Sequence, residues 1–595
     1  MAGRRPRLHP WLALGVVTAL VVGACADSSV RPSGSPTDDA RGGLDATSFP
    51  SAPPSSGPFV PMVYPVDGPA PCDEDAAADP SHGPYRGTIR RITAVDPLTV
   101  TFELCDSDAA FLAKVAAPSL AINDTAWLTA RIDPAGGAPR LLTEVNGTGP
   151  FRLESWGDGA NVTLRRFDGY WGDRARTGAL VFVAEGDAGR RLAKLSEGSV
   201  DGVDLVAPAD AASVVQNPDI VLDPREGLNI AYVGLNNRFA PFDSEAVRQA
   251  LAIGIDRAAI VSDAFPPGAE LATHFLPCAI ADGCAGGAWP GLDPALARER
   301  LAQAGFPDGF STSITYSDEP REYLPDPTAV ATALQTQLHE YLGVDATLRV
   351  LPFDDLVAQA DAGRIDGLYL LGARARVPDA SLLLDQHFGP ASSAQFGRRF
   401  DDIARALDQG RATGDPAKRT VAYQRANERI VRHVPMIPLA HVGTLAATRA
   451  DVGGYTASAT ASDRFSLVTP GDRAQFVFMQ AGRPGGLYCA DEVDDAALRI
   501  CAQLTESLYR LDLPEPTLSP ALATACVPDA DLVLWTCSLR PGVRFHDGTS
   551  LDANDVVLSY AVQWDAEHPL HRGREGSFSA FTDRFGGLLN PPPTP

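Results

Sequence analysis

The chain predicts an α/β fold, with mixed sheets flanked by helices, and three stretches carry that prediction. Leu532–Leu539 (LVLWTCSL) alternates apolar and small polar residues as a strand does, and Ala553–Trp564 then carries apolar residues at helical spacing behind a Ser550 or Asp552 cap. Thr88–Leu104 (TIRRITAVDPLTVTFEL) reads as two alternating strands about a Val95-Asp96-Pro97 turn. Leu180–Val183, Ala188–Gly198 and Val200–Leu205 follow in strand, helix, strand order with short links, the pattern of a sheet covered by helices.

Taken from its start, the chain opens on an address. Arg4, Arg5 and Arg7 precede the apolar run Trp11–Val22, which is too short to span a bilayer comfortably as a helix. Val22-Gly23-Ala24-Cys25 resembles a bacterial lipobox, which implies cleavage before Cys25 and a diacylglyceryl group on its thiol. Residues 1–24 are therefore expected to be a lipoprotein signal peptide. Residues 25–57, rich in Ser, Pro, Asp and Gly, are expected to be a disordered tether. The expected location is the extracytoplasmic face of the cell membrane. A formal net charge of -24 argues against nucleic acid or an anionic lipid surface as partner.

Without Cys25, eight cysteines remain: Cys72, Cys105, Cys278, Cys284, Cys489, Cys501, Cys526 and Cys537. An even number in an exported chain predicts four disulfides. Cys526 and Cys537 flank a predicted hairpin and Cys278 and Cys284 bracket a short loop, but the sequence leaves the connectivity open. No CxxC pair or Cys/His cluster suggests zinc, so no metal or cofactor is expected.

The remaining elements follow in order. Phe151–Trp156 and Asn161–Arg166 predict a hairpin about Asp158-Gly159. Leu228–Asn236 predicts a strand and Ser244–Arg257 a helix, on which Arg248 and Asp256 are expected to serve packing rather than ligand. Helices follow at Asp293–Gly305, Thr328–Leu342 and Phe353–Ala362, with strands at Gly343–Val350 and Gly367–Leu371. Phe400–Ile430 predicts two helices, Val434–Ala440 a strand, and Arg449–Pro470 a link. The pattern then restarts with a strand at Gln475–Gln480 and a helix at 501–512, and reaches Leu532. Pro541-Gly542 and Asp547-Gly548 are read as turns about a short strand at Val543–His546.

Leu539–Tyr560 (LRPGVRFHDGTSLDANDVVLSY) resembles the signature of extracytoplasmic solute-binding proteins of the peptide/nickel type, the ligand receptors of ABC importers. Thr88–Leu104, the GTGPF and YWG of Asn146–Asp173, VRQALAIGIDR at Val247–Arg257, AGFPDGF at Ala304–Phe310 and VPMIPLA at Val434–Ala440 resemble further boxes of that family. The resemblance implies a two-lobe, periplasmic-binding-protein-like (type II, cluster C) clamshell. In the family the FHDG signature lies near the N-terminus, whereas here it follows the other boxes. No box occurs twice, so the expectation is a circular permutation. Lobe 1 is then expected at 58–235 plus 446–595, and lobe 2 at 236–445.

The resemblance implies a receptor, expected to be a monomer, that captures short peptides or another small solute and delivers them to ABC permease subunits. In peptide-binding members a strand of the second lobe lines the cleft, and an Asp holds the peptide ammonium. The matching stretch here is Gly372-Ala373-Arg374-Ala375-Arg376-Val377-Pro378-Asp379, with Ala373 at the aromatic position and Arg376 at the Asp position. Arg374 and Arg376 share a strand face by the two-residue period and suit a carboxylate or phosphate. The alternatives stay open: an anion-selecting site, or arginines paired internally with Asp385 or another acid. Gly372, Ala373, Arg374, Arg376, Tyr488 and Trp535 are the candidate ligand-binding residues. The chain carries no GxSxG, HExxH or SxxK, so no catalytic residue is assigned and a secreted hydrolase is the lesser alternative. A role feeding a sensor or an adhesion partner is also compatible.

Overall fold

The computed structural model describes residues 58–72, 85–131, 140–156, 161–390, 392–512 and 517–591. The signal segment 1–24, the tether 25–57 and the lipid acceptor Cys25 lie outside the described residues.

Four sheets organise what is described. The five-stranded sheet runs β1 (Val63–Tyr64), β2 (Ile89–Asp96), β3 (Thr99–Leu104), β20 (Leu534–Leu539), β19 (Ala523–Pro528). The seven-stranded sheet runs β4 (Phe151–Trp156), β5 (Asn161–Arg166), β6 (Ala179–Ala184), β16 (Gln475–Gln480), β7 (Gly202–Val203), β15 (Thr444–Arg449), β8 (Ile220–Arg225). The six-stranded sheet runs β10 (Glu270–Leu271), β14 (Met436–His441), β9 (Asn229–Leu235), β13 (Leu368–Arg374), β11 (Ser311–Tyr316), β12 (Asp345–Val350). A two-stranded ribbon pairs β17 (Tyr509–Asp512) with β18 (Thr517–Pro520).

Burial divides the molecule into two parts. The buried residues packed about the six-stranded sheet all lie between Leu228 and Val442, and we call this the continuous lobe. The clusters about the other sheets draw on buried residues up to Ile220 and from Ala447 onward, and we call this the composite lobe. In the composite lobe the late strands sit among the early ones. β20 pairs with β3, with Cys537 opposite Val100. β16 lies between β6 and β7, with Phe476 opposite Leu180 and Met479 opposite Val203. Residues beyond 475 therefore complete sheets that residues 89–203 begin, because each late strand offers the apolar alternation those sheet edges need.

The helix Ala553–Trp564 forms as its sequence predicts. Asp552 caps it, and Asp555 closes a capping box by accepting from the Asp552 N–H. Ala553 and then Asp555 through Trp564 are buried against β2 and β3, so the FHDGTSLDANDVV stretch seats one helix on the five-stranded sheet. Gly542 and Gly548 hold positive φ at the two predicted turns.

Three expectations need correction. Val543–His546 is not a strand. Phe545 bonds to Thr549 across the turn and only an isolated bridge, Arg544 to Ser550, remains. The helix expected at 501–512 spans Asp495–Leu504 instead, because Tyr509–Asp512 is drawn into pairing with Thr517–Pro520. The link 449–470 packs against the composite lobe, with Asp463, Phe465 and Val468 buried. The lobe crossing lies before β9 and not at 235: β9 is a central strand of the six-stranded sheet, flanked by β13 and β14.

All eight cysteines pair, as Cys72–Cys105, Cys278–Cys284, Cys489–Cys501 and Cys526–Cys537.

Candidate functional site

The chain passes between lobes twice, at 226–228 and at 442–443, and the two passes touch. A Cβ on Gly227 would lie 2.6 Å from the Val442 main chain, and one on Gly443 would lie 2.6 Å from the Arg225 carbonyl oxygen. Only glycine lets these two backbones run so close, so the crossing is a narrow two-stranded neck. Its flanks are anchored: Asn229 donates to the Val442 carbonyl and accepts from the Val442 N–H, at 2.9 and 2.8 Å.

β13 ends beside this neck, with Arg374 opposite Asn229. Its first four residues are buried in the continuous lobe, and its last three, Gly372, Ala373 and Arg374, emerge half-buried. Gly372 is required by packing, for a Cβ there would come 2.2 Å from the Tyr323 ring and 2.3 Å from the Ile230 oxygen. Arg374 crosses to the composite lobe and bonds Asp495 at 3.0 Å, while Glu322 of its own lobe stands at 3.4 Å. Arg376 crosses beside it, donating to the Val493 carbonyl at 2.9 Å. Both arginines thus meet the segment that opens the helix Asp495–Leu504. The internal pairing weighed for Arg374 is therefore present, with Asp495 and Glu322 as partners. Asp385 pairs with Arg411 instead.

A small cavity of about 20 Å³ lies at this junction, walled by Arg374 and Arg376 from one lobe and Glu492, Asp495 and Arg584 from the other. That volume accommodates roughly one water. Glu492 is held by Arg574 at 3.1 and 3.2 Å, and its carboxyl is pushed up to about 7 by burial, with Arg574 opposing. Arg584 is 7% exposed, and burial brings its guanidinium down to about 10. Sequence reasoning does not single out Arg584. It sits in the helix Ser579–Phe585, among Phe578, Phe581 and Phe585, and its sequence signal is only that of one charge in an apolar run.

Two expected ligand contacts are corrected. Trp535 is 4% exposed, stacks on Phe111 with ring centroids 4.8 Å apart and donates to the Leu532 carbonyl. Tyr488 is 3% exposed and packs edge-on to Phe578. Both rings belong to the core of the composite lobe, where their apolar area is best used. Other predicted roles stand as structural ones. Asp379 caps the helix Ala380–Phe388 and takes Arg419 in a forked pair at 2.8 and 3.1 Å. Arg248 donates to the Phe242 and His433 carbonyls, and Asp256 caps the helix Arg257–Ala264.

A second polar space, of about 80 Å³, lies inside the composite lobe near Glu506. The Glu506 carboxylate accepts from Thr148, Tyr170 and Trp171 at 2.9, 2.7 and 2.7 Å. It ties the YWG box to the late helix and is fully engaged in doing so.

Two α/β lobes joined by a double neck, with charged side chains meeting between them, have the architecture of a solute-binding receptor. Residues 70–395 and 517–578 match the bacterial extracellular solute-binding proteins, family 5, and the chain belongs to that family. The chain is 27% identical over 396 residues to the dipeptide-binding protein of Escherichia coli K12, covering 64% of this chain and 71% of that one. It is 30% identical over 367 residues to a glutathione-binding protein of Salmonella typhimurium, covering 59% and 68%. Among solved structures, HbpA2 from Haemophilus parasuis superposes with a TM-score of 0.60 at 27% identity, covering 64% and 76%. No helix among the described residues is long and apolar enough to cross a membrane.

Proposed function

We propose that this protein is the extracytoplasmic receptor of an ABC importer, that it closes two lobes on a short peptide and that it delivers the peptide to a membrane permease. The observation that carries the reading is the junction at Arg374 and Arg376. A strand of one lobe ends there, beside a small cavity lined from both lobes, in a chain of family 5. The neck at Gly227 and Gly443 supplies the hinge. Capture by closure involves no bond-making chemistry, so no catalytic residue is assigned. Similarity to the dipeptide-binding and glutathione-binding proteins supports a peptide-sized solute.

The same reading takes the lobes as 58–225 with 444–591 and 229–442. It takes the chain order as a circular permutation, with the ancestral ends joined within 450–475. The strands β20 and β3, which lie in the two matched segments 517–578 and 70–395, pair with each other, which supports it. Cys25 would carry the lipid anchor, 25–57 the tether, and the receptor would work as a monomer. A second reading, an anionic or non-peptide solute, is favoured by the arginine at position 376.

Thermal unfolding with a set of free dipeptides and tripeptides tests the proposal. A bound peptide raises Tm by mass action, by about 2.7 kcal/mol at a hundredfold excess over Kd. A set in which no peptide moves Tm, while the protein is folded by circular dichroism, rejects peptide capture.

A further inference from the structure

We infer that Asp385 is the proton switch of a latch between the lobes, so that acid holds the molecule closed and alkali loosens it. The latch lies apart from the junction at Arg374 and Arg376 and acts whatever the solute is.

Two hydrogen bonds mark this second meeting of the lobes. The Ala109 N–H of the composite lobe donates to the Arg411 carbonyl of the continuous lobe at 3.1 Å. Gln386 of the continuous lobe donates to the Asp583 carbonyl at 3.2 Å. Around these bonds the continuous lobe places Asp385, Asp408 and Arg411, and the composite lobe places Asp106, Asp108 and Lys114. None of the six lines the cavity beside Arg376. Four carboxylates thus share two cations. Lys114 is engaged by Asp108 at 2.6 Å, with both side chains buried. Arg411 is hydrogen-bonded to Asp408 and feels the Asp106 charge across the gap. Asp385 is left over. The Arg411 Nε stands 3.5 Å from its Oδ2 without a hydrogen bond, and its Oδ1 is shut off from solvent with no partner. Its other neighbours bring no free cation. Asp379 on the same helix takes Arg419, and Asp583 faces Arg584. Burial keeps the Tyr423 phenol protonated and the His387 ring, which bonds the Leu383 carbonyl, neutral.

A carboxylate shut off from water among like charges holds its proton. Burial pushes the Asp385 carboxyl up to about 7, against Arg411 and Lys114 and with Asp408 and Asp108 adding to it. Parting the lobes takes the Asp108–Lys114 pair away and lets water reach Oδ1. The charges of that pair oppose each other, so the relief of burial decides, and the open form holds the proton more weakly. A proton on Asp385 therefore favours closure. That preference is full below the carboxyl's ordinary range and is lost as pH rises through about 7. From about pH 8 to about pH 6 the balance shifts toward the closed form by up to about tenfold. The proton acts as a ligand with a differential affinity for the two states, which is what a shift between them requires.

Hydrogen exchange of the Ala109 amide reads the latch directly, because its acceptor belongs to the other lobe. Rates are corrected for the intrinsic effect of pH on exchange, and small-angle scattering of the solute-free protein reports the shape. From about pH 6 to about pH 8 the protection of this amide in the parent should fall by up to about tenfold, and the radius of gyration should rise. D385N keeps the shape of the side chain and cannot ionise. Its protection should stay within about twofold and its radius should stay at the parent's acid value. If D385N fails to fold by circular dichroism, D408N decides in its place. It lifts one like charge from a half-exposed position of the same cluster, and its protection should fall less than the parent's. A parent whose protection and radius are flat across this range overturns the latch. A response that D385N, or D408N in its place, reproduces in full overturns the role of Asp385. Either result leaves the receptor reading standing, since peptide capture is tested separately by thermal unfolding.

Discussion

The continuous lobe encloses one apolar cluster about a six-stranded sheet, and it carries one disulfide, Cys278–Cys284, spanning six residues. The composite lobe divides its apolar residues among several clusters and carries the other three disulfides. Among its buried charges is a square of four. Arg225 pairs with Asp204 and Asp463, and Arg499 bonds Asp204 at 3.0 Å and Asp463 at 2.8 Å. These residues come from the ends of β7 and β8, from the 450–470 segment and from a late helix. In the continuous lobe the buried guanidiniums of Arg248 and Arg257 donate to main-chain carbonyls instead. Where three runs must find each other, side chains that recognise only their partner fix the register.

The largest effect should follow from breaking that square. Arg499→Leu leaves Arg225 alone to meet two buried carboxylates, and the one buried charge left uncompensated costs about 3–5 kcal/mol. Scanning calorimetry should show the composite-lobe transition falling by roughly 10 °C or more while the continuous lobe keeps its own. A variant in which both lobes melt together at a small shift would mean that the square does not specify the composite lobe. Replacing Arg225, Asp204, Asp463 and Arg499 together with apolar residues should cost less than the single change, because it leaves no orphan.

Mild acid should sharpen the contrast with a smaller effect. In the composite lobe, burial raises Glu492 and Asp555 to about 7, above their unfolded values. Between about pH 4.5 and 7 the folded carboxyls hold protons that the unfolded chain releases, so their contribution is full at the low end and is lost as pH rises. His546, lowered to about 4 by burial, opposes them. In the continuous lobe burial lowers His387 and His441 to about 4, and there the unfolded chain takes protons first. Their contribution is present above about pH 6.5 and is lost as pH falls toward 4. Asp385, raised to about 7 by burial, opposes them. Lowering the pH from 7 to 4.5 should therefore favour the composite lobe and disfavour the continuous one. A tenfold change in proton affinity is worth about 1.4 kcal/mol, so the two transitions should separate by a few kcal/mol. Below pH 4 the sign turns for the composite lobe, since Asp204, against its burial, is held at about 2 by Arg225 and Arg499. Transitions that move in parallel from pH 7 to 4.5 would contradict this.

Much of this architecture can be read in advance where local chemistry decides. β16 and the β4–β5 hairpin fall on the expected residues because their alternation meets a sheet with one buried face. The helix Ala553–Trp564 falls on its cap. Sequence reasoning fails where a distant partner decides. Residues 505–512 carry helical spacing, yet Thr148, Tyr170 and Trp171 draw the Glu506 carboxylate inward and the chain leaves the helix at Leu504. The site divides in the same way. Arg374 and Arg376 are visible as charges on a strand. Asp495 and Arg584 are not, because their roles exist only once the late segments lie against the early ones. Tyr488 and Trp535 are candidates by residue type alone, and for a large ring the core is the commoner destination.

The smallest effect belongs to the contact between lobes. Arg374 and Asp495 are each about a third exposed, at 27% and 37% of the side chain, so their pair is worth at most about 1 kcal/mol. Arg374→Met should leave both melting transitions within about 2 °C. It should still shift the lobes, because this pair joins them and stabilises neither core. Small-angle scattering should report a larger radius of gyration for R374M than for the parent, and the difference should vanish with saturating ligand. Raising the salt should mimic the substitution in the parent, since a half-exposed pair is screened within about 8 Å at physiological ionic strength. If R374M lowers a melting transition by several degrees without opening the molecule, the arginine belongs to the continuous lobe through Glu322 and the closure contact lies elsewhere.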